Sequence, residues 1–113
     1  MPNAAINLWD KFAKFADLGS PRVIAETGNC QLKLVKLLGK EVWRFPADRI
    51  VLVLDGELML GLHDGAVWLS AGEMYVVPRD MEHHPLATDE CSVMLVEPKI
   101  ERGASVMPAE IWV

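Results

Sequence analysis

The side chains able to do chemistry are few, and most lie between Trp43 and Pro85. His83 and His84 stand side by side on an extended stretch, where neighbouring side chains point to opposite faces, so at most one of them faces inward. An inward histidine could bind a ligand or move a proton. Equally, it could be a core residue hydrogen-bonded to a backbone carbonyl. Arg44 and Arg49 offer only donors and a permanent positive charge, which suits a carboxylate or phosphate gripped in a bidentate fork. The plainer reading, favoured for Arg44, is a surface pair at a strand entry, bridged to Asp48 or Asp55. Trp43, Phe45 and Trp68 read as packing residues, with an aromatic pocket wall as the alternative. His63, in a turn with Asp64 and Gly65, reads as solvated, as do Glu41 and Glu82. No nucleophile triad, phosphate loop or zinc-finger spacing occurs.

The elements that must position these residues are mostly strands. From 48 to 98, short apolar runs are punctuated by Asp55-Gly56, Asp64-Gly65, Gly72-Glu73 and Pro78-Arg79-Asp80. Aspartate-glycine pairs accept the positive φ that tight hairpin turns demand. The period-two pattern predicts strand stretches over 22–26, 30–38, 42–45, 50–54, 57–62, 66–69, 74–77, 85–87 and 91–96, with 30–38 and 42–45 parted only by the Gly39-Lys40 break, so about eight strands build the barrel. Within the second, Leu32 and Leu34 alternate with Gln31 and Lys33. Before them, residues 7–18 carry Leu8, Phe12, Phe15 and Ala16 at helical spacing, with Trp9 and Ala13 widening the same face. Asn7 is placed to cap that helix, Gly19 to end it and Pro21 to prevent its continuation. So short a helix must dock its aromatic face on a sheet, in this subunit or another. The tail, 99–113, closes on Ile111-Trp112-Val113 and is expected to pack on the barrel or a neighbouring subunit.

Length and charge narrow the function classes. At 113 residues the chain is read as one domain with room for a single pocket. Its net charge of −5 and scattered lysines argue against nucleic acid, whose binding is driven by clustered Lys and Arg. No apolar run approaches the ~20 residues of a bilayer span, and no secretory signal is visible, so no membrane partner is expected and the location is read as cytoplasmic. Cys30 and Cys91, far apart and in no CxxC spacing, read as buried thiols in a reducing compartment. An apolar content of 51% in so small a domain points to an oligomer interface, and hence to a homodimer.

Gly56-Glu57-Leu58, Gly72-Glu73-Met74-Tyr75-Val76-Val77-Pro78-Arg79 and Met81-Glu82-His83 resemble the core of a small single-domain cupin. The match extends upstream through Asn7-Leu8, Lys11-Phe12, Phe15, Ser20-Pro21, Lys33-Leu34-Val35-Lys36, Gly39 and Val42-Trp43, and downstream through Pro85, Ala87 and Glu97-Pro98-Lys99. The chain thus resembles, over nearly its whole length to Lys99, the bacterial mini-cupins labelled mannose-6-phosphate isomerase-like. The resemblance implies an all-β fold: a cupin double-stranded β-helix, or jelly-roll barrel, over 22–98, with a short N-terminal helix over 7–18.

It also implies a metal set that this chain does not keep. The family holds one divalent metal with two histidines and a glutamate from its first motif and a histidine from its second. Here His83 matches the last, while Arg44 and Phe45 stand where the first-motif histidines should follow Trp43, and Arg49 stands in the glutamate's place. The connection from Trp43 to Gly56 is also slightly shorter than the family's. With three of four ligands replaced, no metal and no other cofactor is expected. Three functions follow as expectations. The first is a metal-free homodimeric barrel, without catalysis, whose pocket at His83, Arg49, Arg44 and Trp43 holds a small polar or anionic molecule or is merely filled. The second is a metal-independent sugar isomerase or epimerase using His83 as acid or base, with Arg49 holding the substrate's negative charge. The third is a metal enzyme with a rearranged set such as His83 with Glu41.

Overall fold

A computed structural model of the protein describes residues 4–100. One short helix, α1 (Leu8–Phe12), precedes seven strands: β1 (Arg22–Thr27), β2 (Cys30–Lys40), β3 (Arg49–Asp55), β4 (Glu57–Leu62), β5 (Gly65–Ser70), β6 (Met74–Val77) and β7 (His84–Pro98). All pairings are antiparallel, in the order β1-β2-β7-β3-β6, with β4 pairing both β5 and β7. β7 joins the two halves of the jelly roll. Its first residues pair with β4 (Met59↔Leu86) and the end of β2 (Lys40↔Leu86), and its later ones with β2 and β3.

Inward positions alternate along each strand. Val51 and Val53 of β3, Leu58 and Leu60 of β4, and Val93 and Leu95 of β7 are buried in one core, together with Val35, Leu37 and Trp43. Removing so much apolar surface from water supplies the main drive to fold, roughly 25 cal/mol per Å². Gly56 sits in the turn between β3 and β4 with φ 91°, and a Cβ there would come within 3.1 Å of the Glu90 carbonyl oxygen and 3.2 Å of Cys91 Cα. Only glycine meets both demands.

Three expected elements differ. The stretch 42–45 is extended but makes one isolated bridge, Trp43↔His83, instead of a strand. The Glu41 amide donates to Pro85 O at 3.0 Å, and proline, having no N–H, cannot return the bond that would extend the ladder. The segments 85–87 and 91–96 are one strand. Thr88-Asp89-Glu90 bulge outward between the Gly39↔Ala87 and Leu37↔Cys91 pairs, and their polarity reads in sequence as a break.

The helix spans five residues, not twelve. Asn7 caps it as expected, its side chain accepting from the Asp10 amide at 3.0 Å. Beyond Phe12, Lys36 takes both partners of what would be a helical hydrogen bond: its ammonium donates to Phe15 O (2.6 Å) and its carbonyl accepts from the Gly19 amide (2.8 Å). Phe15 is thereby turned down onto the sheet, with Arg22 and Lys36 each about 5 Å from its ring centroid (4.9 and 5.0 Å). Phe12 and Phe15 pack on Leu34, so the helix does dock on a sheet of its own subunit, while Trp9 stays exposed. The expected packing of Ile111-Trp112-Val113 lies outside the described residues. Cys30 is half-buried and Cys91 buried, and neither forms a disulfide.

Candidate functional site

Among the described residues, the inside of the barrel is apolar except for one polar layer at the end where β2 and β3 begin and β7 finishes. Strand alternation builds it. Arg49 continues the inward row of Val51 and Val53, and Glu97 that of Val93 and Leu95. The Ile50↔Val96 register sets Arg49 opposite Glu97, and Gln31↔Glu97 with Lys33↔Leu95 sets Lys33 diagonal to it. Arg49 Nη2 donates to Glu97 Oε2 at 3.2 Å, and Lys33 Nζ pairs with Glu97 Oε1 at 3.1 Å. Both Glu97 and Arg49 are 1% exposed and Lys33 is buried with them. The Arg49 guanidinium lies 4.4 Å from the Phe45 ring centroid and 5.3 Å from that of Trp43, within cation–π range.

His83 closes the layer. It is fully buried, held by the bridge to Trp43 through two 2.8 Å backbone hydrogen bonds, its ring edge-on to the indole. Nδ1 lies 2.9 Å from Met81 O. A carbonyl only accepts, so Nδ1 carries the proton and Nε2 presents a lone pair, directed at Arg49 Nη1 3.5 Å away. Burial first, and the Arg49 charge besides, push its pKa down to about 4, against the opposing pull of the Met81 bond. The imidazole is therefore neutral at physiological pH.

The candidate residues thus divide. His83, Arg49 and Trp43 come together, and His83 is the inward member of its pair; His84 is half-buried and reaches Glu82 Oε2 at 3.1 Å. Arg44 does not join them: it is exposed and bridged to Glu82 at 3.3 Å, where Asp48 or Asp55 was expected as partner. Asp48 instead accepts from the Arg79 amide at 2.8 Å. His63 and Trp68 are exposed, Trp68 by 70%. Arg49 points inward as the resemblance implied, yet part of its fork already grips a carboxylate of its own chain.

Sequence reasoning missed Glu97 and Lys33. Glu97 was open to view as the next inward position after Cys91, Val93 and Leu95. Lys33 was not, because Leu32 and Leu34 beside it are the residues that look inward. They lie on the outer face of the sheet instead, where α1 covers Leu34.

Beside the layer lies an open cavity of about 450 Å³. Ile50, Val76, Val96, Cys30 and Pro98 give it mainly apolar walls and Asp48 and Asn29 its polar groups, while Arg49 and Glu97 border it with their side chains buried. The donor set does not fit a divalent metal. Among the described residues no group of three His, Cys, Asp or Glu converges, and the His83 Nε2 lone pair that would bind a metal faces a guanidinium.

A seven-stranded jelly roll with a polar layer at one end of its barrel defines a cupin-type protein. Solved structures agree. A cupin-2 domain protein from Shewanella frigidimarina is 43% identical, covers 83% of this chain and 94% of its own, and superposes with a TM-score of 0.79. A protein from Neisseria meningitidis is 32% identical over 85% of this chain and 100% of its own, with a TM-score of 0.76. A cupin superfamily protein from Desulfitobacterium hafniense, 17% identical over 74% of this chain and 82% of its own, shares the fold with a TM-score of 0.60. The chain belongs to the cupin-2 domain family. A scan against protein-family models matches none, and a search of curated proteins finds no match.

Proposed function

We propose that the protein is a metal-free, non-catalytic cupin module, homodimeric, that binds a small molecule with an apolar body and a polar or anionic head. The observation that carries the reading is the Arg49 guanidinium seated between Glu97 and His83, with Lys33 on the same carboxylate. A fixed organic cation takes the centre of the polar layer, where two basic side chains repel a divalent ion. The cavity beside it supports a ligand whose body meets Ile50, Val76 and Val96 and whose head meets Asn29, with the buried Arg49 charge behind the wall. Catalysis by His83 finds no such support. Its side chain is fully buried, is not among the residues lining the cavity and is engaged at both ring nitrogens.

The test is a protein-observed NMR titration with a panel of small amphipathic acids, alcohols and amines. The reading expects saturable shifts of the Ile50, Val76 and Val96 methyls for at least one acid or alcohol. Shifts scattered over the surface contradict ligand binding, and turnover of an acidic sugar that is lost in His83→Gln contradicts the non-catalytic reading.

A further inference from the structure

In a chain of net charge −5, positive charge gathers at one place outside the barrel. A pocket of about 270 Å³ opens between the end of α1 and the start of β1, lined by Lys11, Lys14, Phe15, Arg22, Val23 and Ile24. No acidic residue is among them. It shares no lining residue with the cavity beside the polar layer, so ligand binding at one is independent of ligand binding at the other.

Two irregularities of the backbone build this pocket. Where Lys36 ends the helix, Phe15 turns onto the sheet and becomes part of the wall. In β1 the register shifts between Val23↔Lys33 and Ala25↔Leu32, which makes Ile24 an extra residue. Unbroken alternation would send Val23 and Ile24 to opposite faces, whereas with the bulge both line the pocket.

Two of the cations around it are held in place. Arg22 Nη2 donates to Asp17 Oδ1 at 2.6 Å while its guanidinium lies 4.9 Å from the Phe15 ring centroid, and Lys36, tied to the Phe15 carbonyl, lies 5.0 Å from the same ring. Fixing such long side chains beforehand removes an ordering cost that a ligand would otherwise meet. Lys11 and Lys14 come from the helix side, and among the described residues neither ammonium is in an ion pair. Asp17 is the one described carboxylate paired with any of these four cations. The Arg22 hydrogen bond first, and the Lys36 charge besides, hold its pKa below the ordinary carboxylate value. One carboxylate against four cations leaves a positive surplus.

We propose that this pocket binds a small phosphate monoester, its charged head among Lys11, Lys14 and Arg22 and its apolar body against Val23 and Ile24. A phosphate presents several charged oxygens to donors that arrive from both the helix and β1. The guanidinium N–H groups not spent on Asp17 can take two of those oxygens, and the ammonium groups act as point charges. Val23, 49% exposed, offers the body an apolar contact still open to solvent. The volume lies just below the usual range of ligand pockets, roughly 300–1,000 Å³, which restricts the ligand to a small one.

Protein-observed NMR on the full chain tests this with phenyl phosphate, inorganic phosphate and benzoate as probes. At about 150 mM salt, phenyl phosphate should shift the Val23 and Ile24 methyls saturably and bind at least about tenfold more tightly than benzoate. Inorganic phosphate should move neighbouring backbone signals more weakly. Lys14→Glu and Lys11→Glu, made separately so that one folding failure does not end the test, should each weaken phenyl phosphate at least about tenfold with unchanged far-ultraviolet dichroism. No saturable shift, equal affinity for phenyl phosphate and benzoate, or binding untouched in a folded variant overturns the site. Binding seen only below about 50 mM salt overturns it too, since that marks a diffuse attraction. Shifts confined to Ile50, Val76 and Val96 place the probe in the other cavity, which overturns this site and leaves the binding reading above standing.

Discussion

Glu97 holds two cations inside the barrel, Arg49 at 3.2 Å and Lys33 at 3.1 Å. Removing one partner of a buried ion pair costs more than the pair contributes, since the remaining charge loses a partner without regaining water. Glu97→Leu should therefore lower unfolding free energy in urea by about 3–5 kcal/mol. Arg49→Leu should cost less, because Lys33 stays on the carboxylate. Equal costs would mean that Lys33 does not share Glu97. His83 adds a pH dependence whose sign follows from its lowered pKa. Between about 4 in the folded chain and the usual 6.5, the unfolded chain binds more protons, so stability is complete above pH 6.5 and falls as pH drops toward 4. The span amounts to about 3 kcal/mol, and His83→Gln should remove it from urea titrations run across that range. A parent whose stability is flat from pH 6.5 to 4 would show that His83 is not buried as a neutral ring. Of this layer, His83 and Arg49 were legible in sequence. Lys33 was hidden because β2 is apolar on both faces.

At the scale of elements, turns and periodicity placed most strands, and the failures share a cause. Pro85, the Thr88-Asp89-Glu90 bulge and Lys36 each act through a partner distant in sequence. Pro85 denies a return bond to residue 41, the bulge faces Leu38 on the adjacent strand β2, and Lys36 captures the backbone groups that would continue the helix. None of these has a local signature. Gly56 does, as half of an aspartate-glycine turn, and the structure adds the close approach of Glu90 and Cys91. Gly56→Ala must hold φ near 91° and also push those strands apart, which should cost about 1–3 kcal/mol in a denaturant titration. A cost within experimental error would mean that the β3–β4 turn relaxes freely against β7.

For the whole molecule, a barrel that has kept its frame and changed the chemistry at its centre accounts for both the resemblance and the departures. Arg49 stands where the family resemblance places a metal-binding carboxylate, and Glu97, Lys33 and His83 build a connected polar layer around it. The departures were legible because they are substitutions at matched positions. What fills their place was not, because it depends on the register of β2, β7 and β3. The cavity beside the layer, mainly apolar and walled by the outward-facing Ile50, Val76 and Val96, moves the expected ligand from the barrel centre to the outside of the sheet. Inductively coupled plasma mass spectrometry on the full chain, purified without chelator and then equilibrated with manganese, iron(II), nickel and zinc in turn, tests the central claim most directly. Below about a tenth of an equivalent per chain for every metal is the result this arrangement requires, as two buried basic side chains repel a divalent ion. One tightly held equivalent, lost in His83→Gln, would contradict it.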